Sequence, residues 1–192
     1  MQYEVGAMKH GFYKTLSIIL LISLFDCCSD SSDNVTCSKP EENLILNSSF
    51  EFNNVHSLEG WVVEDTNSVA FSNDVPEGGK EWSVEIEPGW VPQTYTISYL
   101  IAAPEGTHRY MFSFWAKRES ISSNARLWVK SPDVNKIVRV IGISCSYWVQ
   151  YSTLVSMNTQ LGDTIIVELD GGSGEITVGN TNYDLVKLVK LD

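Results

Sequence analysis

The stretch RYMFSFWAK, residues 109–117, alternates between large apolar side chains and a mixed set. Successive side chains of a β-strand point to opposite faces, so Tyr110, Phe112, Phe114 and Ala116 share one face and Met111, Ser113, Trp115 and Lys117 the other. The first set reads as the core side. The next apolar run, ARLWVK at 125–130, repeats the pattern with Ala125, Leu127 and Val129 inward and Arg126, Trp128 and Lys130 outward.

Working outward from these two, further short runs of β-branched and aromatic residues fall at 61–64, 69–72, 82–87, 94–102, 137–143, 149–156, 164–170 and 183–191. They are separated by turn-forming clusters such as PEGG (76–79), PEG (104–106), SPD (131–133) and GGSG (171–174), which supply a fixed or positive φ where the chain reverses. No 3.6-residue apolar period is sustained over ten residues, and no internal repeat is visible. So many short strands predict an all-β fold, a jelly-roll β-sandwich of two antiparallel sheets over residues 43–192.

The segment before the sandwich has a different composition. Lys9, His10 and Lys14 precede an uncharged apolar run, LSIILLISLF at 16–25, that is too short to span a membrane but suits the hydrophobic region of a signal peptide. Residues 1–27 are therefore expected to direct export. CCSDSSD (27–33) resembles the lipidation site of a bacterial lipoprotein, with Cys28 as the acceptor because small Cys27 precedes it whereas charged Asp26 precedes Cys27. Residues 28–42, rich in Ser, Asp, Asn, Pro and Glu, read as a flexible tether. These features predict attachment to the membrane through lipid only, in the bacterial cell envelope, on the outer membrane facing outside.

The chain of 192 residues carries 13 Lys and Arg against 24 Asp and Glu, a formal net charge of −11. Processing at Cys28 removes two residues of each sign, so the acidity belongs to the mature protein. Such a chain repels the phosphate backbone, and no nucleic-acid partner is expected. Cys37 and Cys145 are the cysteines left after processing, and whether they pair stays open. No Cys-x-x-Cys spacing occurs and the three histidines are scattered, so a zinc site has no support in the sequence.

Two strands that each place a tryptophan among polar residues suggest a sugar-binding face, since an indole offers a flat apolar surface to the C–H face of a pyranose. If the two strands are neighbours in one sheet, Trp115 and Trp128 lie within stacking reach of one chain. Lys117, Arg126 and Lys130 beside them would then favour an acidic or sulfated polysaccharide. Trp90 and Tyr95, in the loops at the sandwich edge, are the next place to look. Catalysis is not expected: no carboxylate pair stands out, there is no Gly-x-Ser-x-Gly, and His56 and His108 have no recognisable nucleophile partner.

The series NLILNSSFE (43–51), Gly60-Trp61, EWSVEIEPGW (81–90), APEGTHRYMFSFWAK (103–117), Tyr147-Trp148 with Tyr151-Ser152, and NYDLVKLVK (182–190) resembles carbohydrate-binding modules of families four, nine and twenty-two. The resemblance implies a galactose-binding-like jelly roll that binds glycans without catalysis, on the concave sheet face or in edge loops. It also implies a structural calcium ion. Glu51 matches the Glu of the opening motif and Asp184 the first Asp of the closing strand, which would bring them together if first and last strands pair. Leu185 stands where the family often has a second Asp. Trp61 and Trp148 match positions that usually pack in the core. The function implied is glycan binding at the cell surface, beside glycan-degrading enzymes or transporters; the alternative is a structural or adhesion spacer with no sugar ligand.

Overall fold

The computed structural model describes residues 42–90, 93–119, 122–174 and 179–192. The expected signal peptide, the lipidation site at Cys28, most of the tether and Cys37 lie outside the described residues. In chain order the strands are β1 (Glu51–Phe52), β2 (Val55–His56), β3 (Trp61–Val63), β4 (Val69–Ser72), β5 (Ser83–Ile86), β6 (Gly89–Trp90) and β7 (Thr96–Ala102). They continue as β8 (Gly106–Arg118), β9 (Ser123–Lys130), β10 (Asn135–Ile143), β11 (Val149–Thr159), β12 (Thr164–Asp170), β13 (Ser173–Gly174) and β14 (Thr181–Lys190).

Two five-stranded antiparallel sheets form the sandwich, one in the order β10-β9-β12-β7-β3 and the other in the order β11-β8-β14-β5-β4. The all-β sandwich expected from alternation is therefore present. Its inward faces match the alternation in detail: Tyr110, Phe112, Phe114 and Ala116 of β8 and Ala125 and Leu127 of β9 are fully buried. On the neighbouring strands of the same two sheets, Ile165, Val167 and Leu169 of β12 and Tyr183, Val186 and Leu188 of β14 are equally buried. Each of the larger apolar side chains among them contributes about 1.5–3 kcal/mol through its removal from water.

Polar ties join the layers where strands end. The Tyr183 hydroxyl donates to the Asp170 carbonyl at 2.7 Å, and Thr181 Oγ1 lies 2.9 Å from Ser123 Oγ. Burial first, and the Asp170 charge second, push the Tyr183 phenol up, so it stays a donor across the sandwich.

The sheet order corrects one expectation. β8 and β9 are consecutive, yet β8 pairs with β11 and β14 whereas β9 pairs with β10 and β12. Trp115 and Lys117 thus face outward from one sheet, and Trp128, Arg126 and Lys130 from the other. Alternation tells which way a side chain points but not which strand lies alongside, and in this sandwich the chain crosses between layers at that connection.

The opening and closing segments do run together. Asn43 bridges to Val189, Leu44 N donates to Leu188 O at 2.9 Å, and Val186 N donates to Ser48 O at 2.8 Å. Glu51 itself, however, lies in the small hairpin formed by β1 and β2.

Candidate functional site

On the outward face of the β9 sheet, registers align the side chains in rows across the strands. Ile137, Trp128, Ile166 and Leu100 are directly opposite one another on β10, β9, β12 and β7. One step along the strands, Val140, Arg126, Glu168, Ser98 and Val62 form the next row. On the other side, Asn135, Lys130, Thr164 and Ala102 form a third. With strands about 4.8 Å apart, the apolar middle row runs about 14 Å across the sheet between two largely polar rows.

A groove of about 310 Å³ follows this pattern, lined by Val62, Ser98, Leu100, Trp128, Lys130, Asn135, Ile166 and Glu168. Trp128 is half-buried in it, and its indole N–H is buried with no acceptor among the described residues, so the ring offers the groove its hydrocarbon surface. The groove residues other than Trp128 and Lys130 were not singled out by sequence. Alternation in TISYLIA and TIIVELD does point Ser98, Leu100, Ile166 and Glu168 outward, but only the sheet order gathers them.

Charge in this face is balanced. Arg126 Nη1 donates to Glu168 Oε1 at 2.7 Å and Arg126 Nη2 lies 2.6 Å from Asp170 Oδ2. Lys130 has no carboxylate partner among the described residues. The three cations expected on one face are therefore not gathered: Lys117 is on the other sheet, and Arg126 is neutralised by two carboxylates.

Lys117 has its own partners. Its ammonium is paired with Asp74 and sits 5.5 Å from the centre of the Trp148 ring, while Trp148 Nε1 donates to Asp74 Oδ1 at 2.9 Å. Lys117 first, then Trp148, hold the Asp74 carboxyl below the usual carboxylate range. Trp148 is thus half-buried in a surface cluster and not in the core, unlike Trp61, which is buried with its N–H on the Asn47 carbonyl. The cluster ties the β4–β5 connection, which contains Asp74, onto the outer face of β8.

That same connection covers Asp184. Asp184 is opposite Trp115 on the outer face of β14 but is fully buried. A Cβ at Gly79 would come within 2.6 Å of Asp184 Oδ2, so only glycine lets the loop close over the carboxylate. Glu51 lies under the loop as well, its Oε1 accepting from Glu81 N at 2.5 Å and Trp82 N at 2.6 Å. Asp184 Oδ1 accepts from Leu185 N at 2.7 Å, whereas Oδ2 is buried with no partner among the described residues. Phe50 and Leu185, next in sequence to the two acids, both hold positive φ, 55° and 49°. Bulky residues in that region cost about 1–3 kcal/mol each, and such strain concentrates where a local arrangement is over-determined.

Burial pushes Asp184 up to about 7, helped by the nearby negative charge of Glu51 and opposed by the Leu185 N–H and Lys80. An orphaned Asp184 oxygen under a loop suits a hard cation, while the Glu51 carboxylate beside it is already engaged by two N–H groups and lies 3.9 Å from the Lys80 ammonium, which a cation would have to displace. Among the described residues no group of three or more His, Cys, Asp or Glu side chains could hold a metal, so main-chain oxygens would have to complete a shell of 6–8.

At the sandwich edge, Glu87, Pro88, Trp90, Tyr95 and Asn180 line a smaller pocket of about 220 Å³. Trp90 is well exposed. Close loop packing builds this edge, since a Cβ on Gly171 would meet the Glu87 carbonyl at 2.0 Å.

No family model and no curated protein matches the sequence. Solved structures do match in fold. The enzymatically active domain of bacteriophage CBA120 tailspike protein 4 superposes with a TM-score of 0.58 at 19% identity, over 78% of this chain and 21% of that one. This chain thus spans only about a fifth of that protein's length. A family 61 carbohydrate-binding module, solved with β-1,4-galactotriose, matches at a TM-score of 0.50 and 19% identity over 77% of this chain and 97% of that one. The first family 22 xylan-binding domain of a Paenibacillus barcinonensis protein matches at 0.55 and 12% over 81% and 98%. At these identities the likeness establishes the fold, the β-sandwich shared by carbohydrate-binding modules.

Proposed function

We propose that this protein is a non-catalytic glycan-binding module whose ligand crosses the outward face of the β9 sheet. The observation that carries this reading is the in-register apolar row through Trp128, bordered on both sides by polar rows. A sugar chain presents C–H patches flanked by hydroxyls, and the face presents the complement: an indole in the middle, with Ser98, Glu168, Lys130 and Asn135 at the margins. The balanced charge favours a neutral glycan. Trp128→Ala is expected to weaken binding at least about tenfold, as loss of an aromatic anchor does, with the melting temperature retained. Isothermal titration against neutral polysaccharides checks this, and added salt should change the affinity little. Retained affinity in Trp128→Ala with loss in Trp90→Ala would move the site to the edge pocket.

Calcium is part of the same proposal. Glu51 and Asp184 would hold the ion with main-chain oxygens of the loop around Gly79, which would fix the β4–β5 connection and the opening segment against β14. Its role is structural.

The export signal and tether support lipid attachment at Cys28, which would hold the module at the bacterial surface near glycan-degrading enzymes or transporters. One acyl chain anchors marginally and several anchor stably. The full-length protein should therefore partition into detergent when expressed in a bacterium, and Cys28→Ala should move to the aqueous phase. Equal recovery of both in the aqueous phase would count against the anchor.

A further inference from the structure

Building on the glycan-binding reading, we infer that the groove selects a neutral polysaccharide carrying O-acetyl groups. Three of the four residues in the middle row are aliphatic, and Ile137 and Leu100 are 47% and 50% exposed, with Val62 at 54% on β3, the strand next to that of Leu100. The indole can stack on one pyranose face, and the aliphatic side chains extend the apolar ground beyond what that single C–H face covers. Such a surface is matched by a methyl group.

The polar margin narrows the substituent. Ser98, Lys130 and Asn135 all carry side-chain donors and none is engaged in a side-chain hydrogen bond among the described residues, while Glu168, the acceptor, is already held by Arg126. Lys130, which donates only and has no carboxylate partner among the described residues, beside apolar ground suits a group with a methyl end and an acceptor that cannot donate. An acetyl ester has both; a deoxy-sugar methyl lacks the carbonyl, and an anionic substituent would meet Glu168 and Asp170 as well as the cations. The groove is also open across four strands, so substituents on successive sugar units can lie along the row.

Each methyl buried against Leu100 or Ile166 is worth about fourfold in affinity, the equivalent of about 0.8 kcal/mol. The test uses acetylated glucomannan and acetylated xylan, each before and after mild alkaline de-esterification, titrated into the full chain. Two substituents engaged at once predict that an acetylated polymer binds about fifteenfold more tightly than its de-esterified form. Leu100→Ser combined with Ile166→Thr should erase that preference at an unchanged melting temperature, whereas Trp128→Ala should weaken both forms together. Equal affinity for acetylated and de-esterified polymer overturns this inference and leaves the glycan reading standing. Binding to none of the four samples overturns both.

Discussion

If Glu51 and Asp184 hold calcium as proposed, chelating it is expected to lower the melting temperature by about 5–10 °C, since a ligand at a hundredfold excess over its Kd adds about 2.7 kcal/mol and each kcal/mol moves a domain of this size by about 2–4 °C. The effect should grow with pH. Without metal, Asp184 is buried beside Glu51 and titrates near 7 instead of its ordinary 3.8. Between those values the folded state binds a proton that the unfolded state has released, so this contribution is complete below about 4 and is lost as pH rises through 7. Calcium-free protein should therefore melt at a lower temperature at pH 8 than at pH 5. With calcium bound the carboxylate is ionised in both states, and the fall should disappear or reverse. Asp184→Asn keeps the acceptor for the Leu185 N–H while removing the charge, so it should stabilise the calcium-free protein at pH 8 and abolish the response to chelator. Identical melting curves with and without chelator at both pH values, on protein shown to be metal-free, would refute the site.

That carboxylate pair was legible in the sequence only through resemblance of the opening and closing motifs. What surrounds the pair is distributed: a glycine 28 residues after Glu51 that lets a loop close, two positive-φ residues, and a bulge in β14 between Asp184 and Lys187. None has a periodic signature. The strands, by contrast, were legible because period two survives in one sequence: 69–72 and 164–170 match β4 and β12 end to end, and the inward residues of β8 and β9 are those that alternation selects. Sheet partners are a different kind of information. Nothing in RYMFSFWAK or ARLWVK records that the chain changes layer between them, so the expected union of Trp115 with Trp128 failed while each face was right. Trp128 met its neighbours Ile166 and Leu100 from strands 38 and 28 residues away in the chain, a proximity set by pairing alone.

Arg126 shows the same division and carries the other large effect. Its outward direction on β9 suggested a ligand contact, yet both guanidinium ends are committed within the sheet, to Glu168 and to Asp170. Asp170 is fully buried and also accepts from Asn124 N at 2.7 Å and Gly172 N at 2.9 Å, which anchors the turn leading to β13. Burial opposes the Arg126 charge, but Asp170 and Glu168 outweigh it and hold the guanidinium protonated. Arg126→Met keeps much of the side-chain hydrocarbon and removes the charge, leaving the Asp170 carboxylate buried without its cation. Breaking a buried pair from one side costs about 3–5 kcal/mol, or about 10 °C in melting temperature here. Lys130→Met, on the same strand and the same face but without a partner, should stay within about 0.5 kcal/mol of the parent. Adding Asp170→Asn to Arg126→Met should recover part of the loss, because the orphaned charge goes with it. A single Arg126→Met variant that melts within about 2 °C of the parent would show that Asp170 is satisfied by its backbone donors alone. Arg126 would then be free to turn toward a ligand, and the case for a neutral groove would fall with the pair.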